Sequence, residues 1–154
     1  SDFENQTRII LGGPRTSTTK LKTIYSKVFP KAAIVKTDST YAEMVKYVTN
    51  SFLATKVSFA NEMYQICSKL EVDYDKVIEY ATYDERLGKS HWNVPGPDGD
   101  FGYGGHCFPK DVKALIDLAH DLNVSPRILT AVDCKNNDVR ENRDWEGMKG
   151  RAVV

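Results

Sequence analysis

The chain has 154 residues, of which 41% are hydrophobic and 27% charged, and its formal net charge is zero. That size and composition are typical of a globular domain with its own core, and the charge balance argues against binding to nucleic acid or to an anionic membrane surface. Apolar runs fall well short of the about 20 residues that span a bilayer. Three widely spaced cysteines predict a reducing, cytoplasmic setting, with neither disulfides nor a metal site.

A strand, a helix and a second strand are predicted at the N-terminus. Residues 8–12 form a β-branched run that ends in glycine, which is typical of a buried strand. Apolar residues recur at helical spacing over residues 16–29, and residues 32–36 form a second short apolar run. This order predicts two parallel strands joined by a crossover helix. Because two strands alone do not make a stable sheet, we expect residues 1–37 to be the edge of a larger one.

A long helix is predicted from about Thr40 to Leu70, since its apolar residues keep helical period and neither Gly nor Pro interrupts it. Thr40 and Glu43 have the spacing of a capping box at its start. Its length of about thirty residues far exceeds the usual 11–12. The apolar positions fall on more than one face, and a helix of that kind needs a partner on each face. Long helices of this kind often run between domains or pair with a partner subunit, and two-fold pairing is the commonest oligomer geometry.

Three shorter helices are predicted from the same periodicity, over residues 73–83, 111–122 and 125–142. A polar loop, residues 90–101, separates the first two. Its Trp92 and Phe101 are expected to pack against the protein rather than to stack on a ligand. Cys67 and Cys134 both fall on predicted helices, and we expect both in the core.

The segment from Gly102 to Asp111, Gly-Tyr-Gly-Gly-His-Cys-Phe-Pro-Lys-Asp, concentrates the residues of chemical interest. Three glycines in four residues allow a sharp turn or a close approach of the backbone. Cys107 follows at the start of a helix, because Pro109 suits a first turn. The positive end of that helix and Lys110 both favour a thiolate, and Asp111 could hold or deprotonate a water. A lone cysteine is more often a small buried residue, but this combination predicts a nucleophile.

The same decapeptide resembles the catalytic loop of the UDP-glucose/GDP-mannose dehydrogenase family, whose usual form is Gly-Phe/Tyr-Gly-Gly-x-Cys-Phe/Leu-Pro-Lys-Asp. His106 occupies the variable position. Residues 42–54 are similar to the family's Ala-Glu-x-x-Lys-x-x-x-Asn-x-Phe-Leu-Ala, and residues 84–88 to its Asp-x-Arg-Ile/Leu-Gly. Ten consecutive matching positions make the first motif specific, and the resemblance extends over nearly the whole chain.

The resemblance implies a role for each matching residue. The catalytic residues would be Cys107, Lys46, Asn50 and Asp111. Substrate would be bound by Arg86, Tyr103, Gly104 and Phe108. Lys110 would contact the cofactor, NAD, and Arg86 would reach a nucleotide sugar held by a neighbouring subunit. Without the resemblance, Lys46 is simply a solvated cation and Arg86 a cation at a helix end.

The family also implies a mainly α architecture with a short βαβ remnant. Residues 1–37 would be the C-terminal edge of an NAD-binding Rossmann domain, and residues 38–143 a central helical dimerisation domain. Residues 144–154 would be a linker and the first strand of a nucleotide-sugar-binding domain. The family's glycine fingerprint for NAD is expected upstream, since no Gly-x-Gly-x-x-Gly follows a strand in this sequence.

The implied reaction takes the primary alcohol of a nucleotide sugar, UDP-glucose, to a carboxylate in two NAD-dependent oxidations through a thiohemiacetal and a thioester. Other functions remain open from the sequence. The chain could be a catalytically silent dimerisation module, or part of a relative acting on a UDP-N-acetyl-hexosamine or GDP-mannose. It could also be a Cys-His hydrolase using Cys107 with His91, His106 or His120, although adjacent side chains such as those of His106 and Cys107 rarely form a hydrogen-bonded pair.

Overall fold

The computed structural model describes residues 6–148. Within this range the chain is mainly helical, as predicted, with one pair of strands at its N-terminal end. The regular elements are β1 (Arg8–Gly12), α1 (Arg15–Val28), β2 (Ala33–Thr37), α2 (Ser39–Lys69), α3 (Tyr74–Ala81), α4 (Cys107–Asp121) and α5 (Arg127–Val139). Two short 3-10 turns, Glu85–Leu87 and Asp144–Gly147, complete them. The chain divides into two compact units, with the boundary between Val48 and Thr49.

The first unit contains the predicted parallel strand pair. β1 and β2 run parallel, with Arg8 opposite Ala33 and Gly12 opposite Thr37. A side chain at Gly12 would come within 2.6 Å of the Cβ of Ala42, so glycine lets the first turn of α2 pack against the end of the strand. Asp38 precedes the first residue of α2 and caps it, since its carboxylate accepts the Tyr41 N–H at 3.1 Å.

The second unit is built around α2, which contributes to two apolar clusters. The first cluster consists of Ala60, Cys67, Tyr74, Trp92 and Val94. The second consists of Ala54, Tyr103, Val112 and Val132, so the glycine-rich loop is anchored in the core by its tyrosine. Trp92 is buried, and its indole N–H donates to the Gly88 carbonyl at 2.8 Å. The expectation that Trp92 packs against the protein is confirmed.

Two expectations about side-chain burial need correction. Cys67 is buried as predicted, but Cys134 is exposed. On α5 the buried residues are Val132 and Asn136, one turn apart, and Cys134 lies between them on the opposite face. Trp145 is also buried, so residues 144–147 are part of the folded unit and do not form a loose linker. The strand expected at residues 151–154 lies outside the described residues.

Helix α2 carries exposed apolar side chains along its whole length, as its sequence predicted. They are Tyr41, Met44, Val48, Phe52, Phe59 and Ile66. The same helix buries Ala54, Ala60 and Cys67 on another face. A helix that is apolar on more than one face is typical of an element with a further packing partner. Among residues 6–148, no helix combines the length and the apolar character needed to cross a bilayer.

Candidate active site

The loop of residues 102–105 turns sharply and presents Cys107 at the first position of α4. Gly102 and Gly105 have φ angles of +68° and +69°, a conformation that favours glycine. The thiol of Cys107 is exposed, and α4 begins four residues earlier than its apolar pattern alone indicated. Cys107 therefore lies where the helix directs its free N–H groups and the positive end of its dipole.

Two buried amide side chains hold the backbone of this loop. The Asn136 Oδ1 accepts the Tyr103 N–H at 2.7 Å, and its Nδ2 donates to the Tyr103 carbonyl at 3.0 Å. The Asn61 Oδ1 accepts the Gly102 N–H at 3.1 Å. A side chain at Gly102 would overlap the Asn136 amide, so this glycine is needed for the contact. Neither asparagine was predicted, because nothing in the local sequence distinguishes them from other helical asparagines.

The predicted residues Asn50, Lys110 and Asp111 meet in one cluster between α2 and α4. Asn50 Nδ2 donates to Asp111 Oδ2 at 2.5 Å, and the Lys110 ammonium pairs with Asp111 Oδ1. Asp111 is 0% exposed. A buried carboxylate requires such partners, since leaving it unpaired is costly. Each carboxylate oxygen thus already has a donor, which suits Asp111 to hold Asn50 and Lys110 in place.

The predicted site residues Lys46 and Arg86 both have exposed side chains. Lys46 is exposed on the part of α2 that belongs to the first unit. The side chain of Arg86 is 89% exposed, and its guanidinium binds the Asp84 carboxylate, with the closest contact at 2.5 Å. That ion pair lowers the pKa of Asp84.

Lys56, on α2, holds the turn that carries Arg86. Its ammonium donates to the carbonyls of Leu87 at 2.7 Å and Gly88 at 3.1 Å. It also lies 4.7 Å from the centre of the Trp92 ring, a cation–π contact. Burial lowers the pKa of Lys56. The Arg86 turn is therefore fixed to α2 rather than loose.

A cavity of about 580 Å³ opens beside the glycine-rich loop, entirely within the second unit. Its lining includes Tyr103, Gly104 and Phe108, three of the four predicted substrate-binding residues, but not Arg86. The other lining residues are Val57, Ser90, His91, Asn93, Gly96, Pro97, Asp98, Gly102, Gly105 and Asp144. This volume lies within the range of small-molecule sites, and the mixture of rings with a few polar groups is typical of them.

His91 is a lining residue that the motifs did not indicate. Its φ of +66° is unusual for a side chain other than glycine, and its ring centre lies 5.9 Å from that of Phe108. Burial, and to a lesser degree the charge of Lys56, lowers the pKa of His91. Both effects favour the neutral imidazole, which can both donate and accept a hydrogen bond in the cavity.

His106 lies closer to the thiol of Cys107 than adjacency in sequence suggested. The sulfur is 3.6 Å from Nδ1 and 3.8 Å from Nε2 of the imidazole. Because these two distances are nearly equal, neither nitrogen points directly at the sulfur. Within residues 6–148, no cluster of His, Cys, Asp or Glu side chains has the arrangement of a metal site.

A family model and two sequence relatives all point to the same protein family. Residues 40–138 match the model of the UDP-glucose/GDP-mannose dehydrogenase family, central domain. The UDP-glucose 6-dehydrogenase of Rickettsia felis is 38% identical over 141 residues, which are 90% of this chain and 30% of that protein. The UDP-glucose 6-dehydrogenase AglM of Haloferax volcanii is 34% identical over 160 residues, covering 96% of this chain and 36% of that protein.

A solved structure agrees with the sequence relatives. The UDP-glucose dehydrogenase from the hyperthermophilic archaeon Pyrobaculum islandicum superposes with a TM-score of 0.75 at 32% identity, over 89% of this chain and 30% of that one. The chain thus spans about a third of the length of these relatives. Because the family model covers most of the chain and includes the glycine-rich loop, the chain belongs to the UDP-glucose/GDP-mannose dehydrogenase family.

Proposed function

We propose that this chain is the central part of a UDP-glucose 6-dehydrogenase, a cytoplasmic, NAD-dependent oxidoreductase that converts UDP-glucose to UDP-glucuronate. The observation that carries the proposal is the exposed thiol of Cys107 at the start of α4, on a loop that also forms a wall of the cavity. The relatives named as UDP-glucose dehydrogenases favour this nucleotide sugar over GDP-mannose or a UDP-N-acetyl-hexosamine.

In the proposed reaction Cys107 is the nucleophile. The first oxidation turns the primary alcohol of the sugar into an aldehyde. The thiolate then adds to the aldehyde carbon and the oxygen takes up a proton, which forms a thiohemiacetal. Loss of a hydride and of the hydroxyl proton gives a thioester. Water cleaves its carbon–sulfur bond, which releases the carboxylate and regenerates the thiol.

Asn50 and Lys46 would stabilise the oxygen that becomes negatively charged when the thiolate adds. An amide donor and a cation aimed at that oxygen lower the barrier because the charge is greatest in the transition state. Asp111 would fix the direction of the Asn50 amide, consistent with the 2.5 Å bond between them. The burial of Asp111 favours this positioning role over direct activation of the hydrolytic water.

NAD enters the proposal through the family alone. When bound it would accept the two hydrides. Lys110, the residue predicted to contact it, pairs instead with Asp111 in this structure, and no glycine fingerprint follows either described strand. The residues described here therefore do not by themselves fit the cofactor, and we assign none of them to its binding.

Arg86 is proposed to act in the site of a second subunit. It lies outside the lining of the cavity in its own chain and its side chain projects almost wholly into solvent. The exposed apolar residues of α2 are suited to bury a two-fold interface. A nucleotide sugar bound at one chain's cavity would then receive the guanidinium of the other, whose charge matches a diphosphate.

The proposal is tested with Cys107→Ser in a protein that joins this chain to its cofactor-binding and nucleotide-sugar-binding parts. The variant should oxidise the alcohol once and stop at the aldehyde, so that about half of the NADH per UDP-glucose is formed. Cys134→Ser is the matched control, since Cys134 is also exposed but lies on α5 away from the loop. Complete conversion to UDP-glucuronate by Cys107→Ser would refute the role of Cys107.

A second candidate function is hydrolysis by a Cys-His pair, favoured by the 3.6 Å distance between Cys107 and His106. A hydrolase of this kind should cleave an activated ester without NAD, and His106→Ser should abolish that cleavage. The off-line approach of the sulfur to both ring nitrogens makes this the weaker candidate. Ester cleavage by the unmodified chain that His106→Ser does not reduce would exclude the pair as its source.

A further inference from the structure

Arg140, at the C-terminal end of α5, is a buried cation that no motif accounts for. Its side chain is only 2% exposed. The guanidinium lies 2.8 Å from an Asp98 oxygen, 3.5 Å from Asp100 and 3.6 Å from Asp144. It also donates to the Asn142 carbonyl at 2.8 Å. Burying an arginine is tolerated only with partners of this kind, and its planar fork suits several acceptors at once.

These contacts join segments that are distant in sequence. Asp98 and Asp100 belong to the polar loop that lines part of the cavity, and Asp144 begins the turn after α5. Asp144 in turn accepts the Gly105 N–H, at 3.1 Å and 3.0 Å to its two oxygens. Asp144 therefore connects the Arg140 guanidinium to an amide two residues before Cys107.

The glycine at position 104 is a second, independent sign that Arg140 and Asp144 support the glycine-rich loop. A side chain at Gly104 would overlap the guanidinium of Arg140 and crowd the Asp144 carboxylate. Glycine at position 104 thus permits Arg140 to lie directly against the loop. By contrast, a side chain at Gly105 would meet nothing within 4 Å, so that glycine is explained by its positive φ alone.

We propose that Arg140 and Asp144 are positioning residues for the catalytic loop: together they hold the Gly104–Gly105 peptide and thereby fix where α4 and Cys107 begin. The proposal rests on the proposed function for its catalytic meaning. Small displacements of a reacting group are costly in enzymes, since a misplacement of about 1 Å can cost about a hundredfold in rate. A loop built from three glycines has little stiffness of its own, so it needs external support.

Amide hydrogen exchange of this chain, followed by NMR, tests the proposal without substrate or cofactor. Exchange at Gly105 reports local opening of its bond to Asp144. In Arg140→Lys and in Asp144→Ala, Gly105 should exchange at least about tenfold faster, as expected for loss of a charge-assisted hydrogen bond. Amides in the middle of α2 should be unchanged. Arg143→Lys is the matched control, because Arg143 pairs with Glu146 and not with the loop.

The alkylation rate of Cys107, relative to Cys134 in the same molecule, is the second measurement. Loosening the first turn of α4 weakens the helix-terminal stabilisation of the thiolate, so the ratio should fall about threefold in both variants. Should Arg140→Lys fail to fold, Asp144→Ala decides alone, since Asp144 is partly exposed. The proposal is overturned if the Gly105 amide of the variants exchanges at the same rate as in the unmodified chain. It is equally overturned if α2 amides accelerate as much as Gly105, because the residues then only stabilise the fold.

A dehydrogenase assay keeps the two proposals separable. The assay uses the protein that joins this chain to its cofactor-binding and nucleotide-sugar-binding parts. If that protein oxidises no nucleotide sugar, the proposed function is wrong, but hydrogen exchange at Gly105 still tests the roles of Arg140 and Asp144. If it is active, Arg140→Lys should lower kcat about tenfold and change KM less, because loop position matters most in the transition state. An equal loss through KM alone would contradict a positioning role.

Discussion

Replacing Asn136 by alanine should destabilise the second unit far more than replacing its neighbour on the same helix. Asn136 is 1% exposed, and its amide satisfies both the N–H and the carbonyl of Tyr103. Truncation leaves two buried backbone groups without partners, and each such group costs about 1–3 kcal/mol. We expect a total loss of about 2–4 kcal/mol in the free energy of unfolding, since the loop relaxes in part.

Thermal and urea unfolding monitored by circular dichroism measure this loss. For a chain of this length the loss corresponds to a fall in Tm of roughly 4–16 °C. Asn137→Ala is the matched control, because the Asn137 side chain bonds Asp133 on its own helix, at 3.3 Å. A loss below about 0.5 kcal/mol in Asn136→Ala, or an equal loss in Asn137→Ala, would refute the assignment of Asn136 as the support of Tyr103.

Three further results are expected. The His91 imidazole should titrate below its ordinary pKa of 6.5 in NMR spectra, and Lys56→Met should raise the midpoint. Because folding lowers this pKa, the contribution of His91 to the free energy of unfolding is fully present above the unfolded-state pKa. It is lost as the pH falls from there through the lower folded-state pKa. An unshifted midpoint would contradict the burial of His91. The chain should be a homodimer by light scattering, and a monomer mass would remove the basis for Arg86 acting in trans. The chain alone should not reduce NAD with UDP-glucose above the blank, because its sequence has no glycine fingerprint to hold NAD beside the sugar; measurable turnover would refute this.

Helix positions could be predicted because they depend on nearby residues. α2 was expected from Thr40 to Leu70 and runs from Ser39 to Lys69, since an uninterrupted apolar period specifies a helix. The apolar period by itself indicates the next helix only from Asp111 onwards. Pro109 places its first turn earlier, and α4 indeed begins at Cys107.

Burial of single helical residues was harder to predict. Cys67 and Cys134 look alike in sequence, each on a helix among mixed neighbours, yet one is buried and the other exposed. The difference depends on which face of α5 packs against the rest of the unit, and that face is set by Val132 and Asn136. A polar residue, Asn136, marks the buried face, so a hydrophobic pattern could not identify it.

The helical architecture and the glycine-rich loop could be predicted from the sequence alone, because each depends on consecutive or regularly spaced residues. The glycines of that loop also predict a sharp turn or a close approach of the backbone. The folded structure shows which groups come close: Asn136 lies against Gly102 and Arg140 against Gly104. Both partners come from α5, more than thirty residues away along the chain. A contact of that kind depends on how helices pack, and packing leaves no periodic trace in the residues between.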